Sequence, residues 1–438
     1  MSKNVIIFLI ILTTGFLMHF FSEFSLVRTT DSFDNATQSV SVSLPELSGL
    51  EETTVSFDQL GKDLGGTPYN GRGKSPEQGF STATLTQYMY EQIEGVLLSR
   101  HARLQQELGK KVKRSVLKEG DLLFFKGNKS TLTGIYLSNH DFVTATKDGV
   151  AIRNLSQDAY WKKRFIEGRR LTDKEKKMLT PATHLKHSHP AITEAISLLH
   201  RPYRLTGDTL AAFDCSFLVQ HAFEVMNIHL PRITYHQFEV GETIPLEKAK
   251  PGDVIYFSGT WQKGISHTGI YLGERFFIHA SGEEGETTIS YLGDSWMRHF
   301  TGVKRFDTLQ VNRNHPIVDK AYGLLNVPYH RKGSSPEKGF NRSGFLHYLY
   351  YRYDRNFPRS LKKQWQYGET VKHGDEQPGD VFFFRSDNNN PLPAIYIGNT
   401  QLIVVREDDG VSIVDPRFSH YWTKERLMGI KRYELEEE

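Results

Sequence analysis

The stretch Gly252–Phe257 reads GDVIYF, a Gly-Asp turn followed by the apolar and aromatic run of a buried strand. The pattern returns as GDLLFF at Gly120–Phe125 and as GDVFFF at Gly379–Phe384. The copies lie about 130 residues apart, the size of a whole domain rather than of a solenoid repeat. The chain of 438 residues therefore reads as three tandem domains.

The three copies share further landmarks, which predict helices first and then a small antiparallel sheet in each. Each copy has a Pro-Tyr before the predicted helix, an Ile-Tyr in the sheet and a Trp near its end: Pro68-Tyr69, Pro202-Tyr203 and Pro328-Tyr329; Ile135-Tyr136, Ile270-Tyr271 and Ile395-Tyr396; Trp161, Trp296 and Trp422. The fold class is therefore α+β. We place the copies at 55–171, 189–307 and 315–434, separated by polar linkers at 172–188 and 307–314.

Composition excludes several classes of protein. Hydrophobic residues make up 38% and charged residues 24%, which argues against a disordered chain or one with many membrane spans. A formal net charge of +3 is too small to indicate nucleic-acid binding by itself. The single cysteine, Cys215, excludes an internal disulfide and thiolate-rich zinc sites. By itself it is either an inert core residue or a reactive thiol.

The N-terminus indicates export. Residues 5–21 are largely apolar and follow Lys3, as in a secretory signal. The length also suits a short membrane anchor, so cleaved signal and retained anchor stay open for residues 1–28. A polar spacer follows at 29–54. The predicted location is the cell envelope, as a periplasmic, membrane-anchored or secreted protein.

The middle copy carries the residues of nucleophilic catalysis. Apolar residues at helical spacing after Cys215 predict a helix that begins at about Asp214, whose side chain can cap the first N–H groups. Cys215 then lies in the first turn, where the helix dipole favours a thiolate. Such a nucleophile needs a base beside it.

Two histidines are candidates for that base and its partner. His267 lies on a predicted strand, and His279 lies on the next one. A three-residue loop centred on Gly273 would place them directly opposite each other, close enough for one imidazole to orient the other. A two-residue turn would put them on opposite faces of the sheet.

The flanking copies serve as an internal control, because they keep the scaffold residues and lack the reactive ones. The positions of Cys215, His267 and His279 are occupied by Thr82, Leu132 and Thr144 in the first copy and by Arg342, Leu392 and Val404 in the third. Residues that only serve the fold should be kept with the fold. Their joint loss therefore favours a catalytic role for the three residues in the middle copy.

The middle copy resembles the NlpC/p60 family of cell-wall cysteine peptidases. The matching stretches extend over nearly all of residues 190–307: Pro202-Tyr203, Phe213–Ser216, Leu230–Arg232, Pro251–Phe257, His267–Gly273 and Phe277–Ser281. The resemblance implies papain-like domains and cleavage of amide bonds in peptidoglycan stem peptides, at a D-glutamyl-diamino acid bond or at a crosslink. The flanking copies resemble the scaffold only, which implies inactive domains for substrate binding or regulation.

The resemblance also assigns roles to residues. It makes Cys215 the nucleophile, His267 the general base and His279 the group that orients it. Tyr203 matches a family tyrosine that helps to bind substrate or the oxyanion, and Asp214 and Ser216 are grouped with it as candidate substrate or oxyanion residues. No metal or organic cofactor is implied. The loop Arg204–Asp208 and Phe217 depart from the family pattern, and both are expected at the groove.

Two other functions remain possible from sequence. A papain-like acyltransferase or lipid-directed thiol hydrolase would keep the fold, although such relatives often place His before Cys. A non-enzymatic wall-binding scaffold would leave Cys215 without a role. The expected partner is peptidoglycan or its stem peptides, with no nucleic acid, and with possible membrane anchoring through residues 5–21.

Overall fold

A computed structural model describes residues 55–306, 309 and 313–435 of the chain. The predicted signal or anchor at 1–28 and the spacer at 29–54 lie outside these residues. Within the described residues, no helix has the length and apolar character needed to cross a bilayer. Three domains of the predicted α+β class follow one another, and each contains a six-stranded antiparallel sheet. The fold class predicted from the sequence is confirmed.

The first domain begins with helices and continues into its sheet. Its helices are α1 (Phe57–Asp63), α2 (Thr82–Glu94), α3 (Ala102–Gln105), α4 (Ala159–Arg164) and α5 (Asp173–Leu179). Its strands are β1 (Lys74–Ser75), β2 (Gly79–Phe80), β3 (Lys110–Val112), β4 (Leu122–Lys126), β5 (Thr131–Tyr136), β6 (Asp141–Thr146), β7 (Gly149–Asn154) and β8 (Phe165–Arg170). The sheet order is β3-β8-β4-β5-β6-β7.

The middle domain repeats this plan. Its helices are α6 (Pro190–Ser197), α7 (Cys215–Glu224), α8 (Thr234–Phe238) and α9 (Asp294–Met297). Its strands are β9 (Asp208–Thr209), β10 (Ala212–Phe213), β11 (Glu242–Ile244), β12 (Val254–Ser258), β13 (Ile265–Gly273), β14 (Phe276–Ser281), β15 (Glu286–Tyr291) and β16 (Phe300–Arg305). The sheet order is β11-β16-β12-β13-β14-β15.

The third domain has the same sheet with fewer helices around it. Its helices are α10 (Pro316–Tyr322), α11 (Arg342–Tyr350) and α12 (Leu361–Gln366). Its strands are β17 (Ser334–Ser335), β18 (Gly339–Phe340), β19 (Glu369–Val371), β20 (Val381–Arg385), β21 (Pro391–Gly398), β22 (Gln401–Arg406), β23 (Gly410–Val414) and β24 (Leu427–Arg432). The sheet order is β19-β24-β20-β21-β22-β23.

The segment 172–188 is folded, where the sequence predicted a polar linker. Thr172 and Glu175 form a reciprocal capping box that starts α5. The last residues of that helix, Met178 and Leu179, are buried in the hydrophobic core, and His184 is buried with its Nε2 2.9 Å from the Met178 carbonyl oxygen. Asp173, Lys174 and Lys177 of the same helix are exposed, so its charged side chains conceal the apolar ones in the sequence pattern.

The Gly-Asp turn that identifies each copy is structural, as the sequence predicted. In the middle domain the carboxylate of Asp253 accepts two hydrogen bonds from the Arg305 guanidinium, both 2.7 Å, and one from the Lys250 N–H. Gly252 has φ +99°, and a Cβ there would lie 2.2 Å from the His189 ring. The same Asp–Arg pair recurs as Asp121–Arg170 and Asp380–Arg432.

Helix α7, which begins at Cys215, packs on the sheet of the middle domain. One face of α7 buries Leu218, Val219 and Ala222 in the cluster that also contains Tyr256 and Ile270 of the sheet. Burying each large apolar side chain contributes roughly 1.5–3 kcal/mol. This packing fixes the start of α7 against β13.

The first and middle domains meet through a helix and a hairpin turn. The carboxylate of Glu284, in the turn between β14 and β15, accepts hydrogen bonds from the Ser99 hydroxyl and from the Arg100 N–H. Arg103 of α3 forms an ion pair with Glu283 in the same turn. A basic helix edge therefore binds an acidic turn.

The middle and third domains repeat this contact. Helix α8 of the middle domain corresponds to α3, because each carries a glutamine, Gln237 or Gln105, that donates to a carbonyl oxygen near the start of the main helix. His236 of α8 lies with its Nδ1 3.0 Å from Asp409, in the turn between β22 and β23. Arg406 pairs with Glu239 beside it. The middle domain therefore has both of these surfaces covered.

The second contact predicts unequal effects for two neighbouring aspartates. Asp409 is buried against His236 and Ser412, whereas the side chain of Asp408 is half exposed. Asp409→Ala should destabilise the folded chain by about 2 kcal/mol, because the buried His236 Nδ1 and the Ser412 hydroxyl lose the carboxylate that they contact. Asp408→Ala should have an effect below about 1 kcal/mol. Calorimetric unfolding of the full chain measures both, and equal effects would contradict this interface.

Candidate active site

Helix α7 begins where the sequence predicted. Asp214 has extended backbone, and its side chain accepts a hydrogen bond from the Phe217 N–H at 2.9 Å. Cys215 is the first residue of α7. Its own backbone N–H is one of the groups that a helix leaves without an internal partner.

A compact polar network holds this helix start in place. The guanidinium of Arg232 donates to both carboxylate oxygens of Asp214, each at 2.9 Å, and to the Ser216 hydroxyl at 2.9 Å. Ser216 also donates to Asp214 at 3.0 Å. The structure therefore places the side chains of Asp214 and Ser216 in the helix cap. That these two side chains meet the substrate stays a prediction.

The thiol of Cys215 is nearly closed off from solvent, with 5% of the residue exposed. Its Sγ lies 3.9 Å from the Thr234 hydroxyl of α8, and the backbone N–H of Thr268 lies against it. Burial, with the nearby Asp214 carboxylate, raises the pKa of the thiol to about 11. The helix dipole and these donors favour the thiolate, as expected from sequence, but desolvation outweighs them in the closed site.

The hairpin that carries the two histidines differs from the predicted one. Glu274 and Arg275, with φ +53° and +66°, form a two-residue turn that pairs Gly273 with Phe276. Taken alone, that turn would put the histidines on opposite faces. A bulge between Tyr271 and Gly273 shifts the register once more, so that Ile270 pairs with Ile278 and the histidines return to one face.

The two imidazoles are therefore diagonal neighbours and not directly opposite, which corrects the predicted register. His267 Nε2 and His279 Nδ1 lie 2.7 Å apart and share a hydrogen bond. Gly269 stands closest across the ladder, since a Cβ built there would lie 3.0 Å from the His279 Cβ. The absence of a side chain at Gly269 makes room for the second imidazole.

The hydrogen-bond chain continues beyond the two histidines. His279 Nε2 lies 2.9 Å from the Ser290 hydroxyl on β15, and the Nδ1 of His267 takes no part in this chain. Burial lowers the pKa of His267 to about 3 and that of His279 well below its usual range. Desolvation thus disfavours a lone imidazolium as it disfavours a lone thiolate.

Trp296 of α9 completes the wall around the histidines. Its ring stacks on His267 with a centroid distance of 5.3 Å and meets His279 edge-on at 5.0 Å. In all three domains this tryptophan packs on a phenylalanine ring of the sheet, and in the middle domain it contacts the two imidazoles as well. A scaffold residue of all three copies therefore fixes the imidazole ring in one of them.

A cavity of about 520 Å³ opens onto His267. Its other lining residues include Tyr203, Leu205, Trp261, Trp296 and Arg298 of the middle domain and Arg103 of the first domain. Trp261 is largely exposed, and its indole N–H donates to the Ser266 carbonyl oxygen at 2.6 Å. Aromatic side chains therefore form much of the cavity wall.

Tyr203 lies on the cavity wall near the nucleophile. Burial, with the nearby thiol and Asp214, raises the pKa of its hydroxyl to about 12. The hydroxyl is therefore a hydrogen-bond donor at neutral pH. Its backbone also bridges to Phe213, and Tyr69 and Tyr329 make the same bridge in the flanking domains. Tyr203 thus has an architectural role besides any contact with substrate.

The two departures from the family pattern lie in different places. Leu205, in the altered loop, lines the cavity at His267 as expected. Phe217 instead lines a second cavity, between the middle and third domains, where its ring stacks on His221. The expectation that Phe217 narrows the groove is therefore wrong. It faces away because it lies two residues further along α7 than Cys215.

In the described part of the chain, no group of three or more His, Cys, Asp or Glu side chains is arranged to hold a metal ion.

Comparisons with known proteins agree with this geometry. The NlpC/P60 family matches residues 66–170, 200–305 and 326–432. The chain belongs to the NlpC/P60 family. All three domains are members, so the family and fold predicted from the sequence are confirmed.

Named relatives of this NlpC/P60 protein are hydrolases, which confirms the predicted enzyme class. Gamma-DL-glutamyl hydrolase of Bacillus subtilis strain 168 is 38% identical over 84% of this chain and 88% of its own length. Murein DD-endopeptidase MepH of Escherichia coli K12 is 29% identical over 32% of this chain. A probable endopeptidase NlpC homologue of Haemophilus influenzae is 36% identical over 24% of it. The chain covers 51% and 54% of the lengths of the latter two.

Several residues of this NlpC/P60 site escaped sequence reasoning. Ser290 is replaced by Arg153 and Val414 at the paired positions of the flanking sheets, so the internal control used for Cys215 would have found it. Thr234 and Arg103 carried no such signal. Their place at the site follows from how α8 packs beside α7 and how the first domain docks.

Ser290 yields the first test of the site. Ser290→Ala removes the group that fixes the second nitrogen of His279, so that the His267 ring loses its support. The rate of hydrolysis of peptidoglycan fragments, the substrates of the murein relatives, should fall about 10-fold, the worth of roughly one hydrogen bond.

The matched control is Thr288→Ala, two residues away on the same face of β15. It should leave the rate within about twofold, as expected for a residue outside the hydrogen-bond chain. Equal losses in the two variants would show that β15 matters only for the fold.

Proposed function

We propose that the protein is a cysteine peptidase that hydrolyses amide bonds in peptidoglycan stem peptides, with the middle domain as the catalytic one. The observations that carry the proposal are the hydrogen-bonded chain His267–His279–Ser290 and the position of Cys215 at a helix N-terminus, with its thiol against the backbone N–H of Thr268, the residue that follows His267. Only the middle copy has all four residues. We assign the γ-D-glutamyl amide as the bond that is cut, and the name of the Bacillus subtilis relative supports this assignment.

The reaction follows from the groups at the site. His267 takes the proton of the Cys215 thiol through Nδ1 while Sγ forms a bond to the amide carbonyl carbon. His279, held by Ser290, keeps the imidazole in the tautomer and orientation that this transfer requires. The C–N bond then breaks as His267 returns the proton to the leaving amine. Water, deprotonated by the same imidazole, hydrolyses the thioester and restores the thiol.

The oxyanion is stabilised at the start of α7. The backbone N–H of Cys215 is free of an internal helix partner and points to where the carbonyl oxygen becomes negative. The hydroxyl of Tyr203, protonated at neutral pH, is the second donor. Asp214 and Ser216 act indirectly, since with Arg232 they fix the turn that presents this N–H.

The flanking domains are proposed to lack catalysis and to serve binding or regulation. Thr82 and Arg342 begin the helices that correspond to α7. Neither side chain is a nucleophile with an adjacent imidazole in its own domain. Export to the cell envelope, through residues 1–28, is part of this proposal and places the enzyme with its substrate.

A second candidate substrate is a polymer of γ-linked D- and L-glutamyl residues. The relative that matches all three domains, over 84% of this chain, is named for γ-DL-glutamyl bonds and not for murein. Both substrates present the same reacting group, an amide of a γ-glutamyl carboxyl. The polymer differs in carrying a free carboxylate at every residue.

The direct test incubates residues 30–438 with purified sacculi and analyses the soluble fragments by mass spectrometry. New fragments should appear, and Cys215→Ala should reduce their release at least about 1,000-fold. Thr82→Ala, at the matching position of the first domain, should leave release unchanged. Their masses identify the bond that is cut.

The same preparations are then tested on γ-linked DL-polyglutamate, whose chain length is followed by size-exclusion chromatography. Shortening of the polymer without release from sacculi would select the second candidate. Sacculi that bind the protein without release, with the polymer intact, would instead indicate a wall-binding scaffold. A protein that neither binds nor cleaves either material would point to thioester or lipid substrates.

A further inference from the structure

The first domain contributes a side chain to the catalytic cavity of the middle domain. Arg103, on α3, lines the same cavity as His267 and Tyr203. Half of its side chain is exposed, and its guanidinium pairs with Glu283 of the β14–β15 turn. A residue of a catalytically degenerate copy therefore faces the reacting groups of another copy.

Two anchors hold the first domain at this place. The Glu284 carboxylate accepts hydrogen bonds from the Ser99 hydroxyl and the Arg100 N–H, which fixes the segment before α3. The carboxylate of Glu107 accepts the Ser295 N–H at 2.9 Å, at the start of α9. Both elements that wall the cavity, the β14–β15 turn and the Trp296 helix, are thus fastened to the first domain.

The charges on the cavity wall favour an anionic ligand group. Its permanently charged side chains are the guanidinium groups of Arg103 and Arg298 and the carboxylate of Glu283. Within the described residues, Arg298 has no acidic partner; its Nη2 lies 3.4 Å from the Ser295 hydroxyl. The wall therefore keeps one positive charge in excess, close to the base.

The domain contact alone does not require arginine at position 103. In the equivalent contact between the middle and third domains, the position of Arg103 is occupied by Tyr235. Tyr235 lies two residues before Gln237, as Arg103 lies two residues before Gln105. Tyr235 binds Asp408 of the third domain through its hydroxyl. The interface can thus be made without a cation, and the arginine stands where the interface borders a catalytic cavity.

We infer that Arg103 and Arg298 form a carboxylate-binding subsite that recognises the free α-carboxylate of the γ-glutamyl residue. An amide made through the γ-carboxyl leaves the α-carboxyl free, a few bonds from the carbonyl that Cys215 attacks. Guanidinium groups bind carboxylates with directed, charge-assisted hydrogen bonds. The inference rests on the proposed function and assigns the first domain a part in substrate selection.

The test compares two synthetic peptides that differ at one group. One contains γ-D-glutamate with a free α-carboxylate, and the other contains its α-amide. With the full chain, Arg103→Ala should raise KM for the carboxylate peptide about 10-fold, the loss of one charge-assisted hydrogen bond, with kcat within about twofold. The constants for the amide peptide should change less than about twofold.

A second variant separates recognition from domain docking. Glu283→Gln removes the carboxylate that competes for Arg103, so KM for the carboxylate peptide should fall about threefold. If the Arg103–Glu283 pair only held the domains together, both variants would change KM in the same direction. Arg352→Ala, an exposed arginine of the third domain, is the control and should change neither constant.

The outcomes are distinct. Opposite shifts of KM in the two variants, confined to the carboxylate peptide, support the subsite. Equal effects of Arg103→Ala on both peptides, or no effect on either, overturn the subsite and leave the proposed function intact. Failure of the unmodified chain to cleave either peptide overturns the proposed function and the subsite with it.

Discussion

The site depends on one hydrogen bond, the 2.7 Å contact between His267 Nε2 and His279 Nδ1. It forms only if both imidazoles leave the sheet on the same face. In a hairpin the face changes with each step of register, so a two-residue turn alone would separate them. The bulge before Gly273 returns both histidines to the same face, where they are diagonal neighbours and not directly opposite each other. Ser290, Trp296 and the space beside Gly269 then hold the rings in a diagonal arrangement.

The features that depend on local chemistry were predictable from the sequence. The start of α7 was predictable, because Asp214 is a good cap and the apolar spacing after Cys215 is helical. Repetition of the Gly-Asp turn revealed the three domains, and it also separated residues kept for the fold from those kept for chemistry. Asp253 and Arg305 repeat in every copy, whereas Cys215, His267 and His279 do not.

Features that depend on register or burial were not predictable in the same way. Glu274 and Arg275 adopt positive φ without the Asn-Gly signature of such turns, so neither the turn nor the bulge could be read from residue types. The pKa of the Cys215 thiol rises because packing excludes water, which a helix position does not reveal. Helix α5 was missed because its buried residues, Met178 and Leu179, are few among many charged ones.

The order of the copies has a physical reason in the contacts between them. Each contact joins a short helix of one domain, α3 or α8, to a hairpin turn of the next, so among the three domains only the middle one has both surfaces occupied. Its turn is held by the first domain, beside His279 and the cavity. Its helix α8, which brings Thr234 to the thiol, is held by the third domain through His236. The proposed catalytic residues thus lie between two elements, the β14–β15 turn and α8, that the flanking domains hold in place.

We propose that Cys215 carries the acyl group during turnover. The most direct measurement is rapid acid quenching of the full chain during turnover of a γ-D-glutamyl peptide, followed by mass spectrometric mapping of its proteolytic fragments. The account predicts a thioester of the acyl fragment on the peptide that contains Cys215. Turnover with no adduct on that peptide, or with the adduct on another residue, would contradict it.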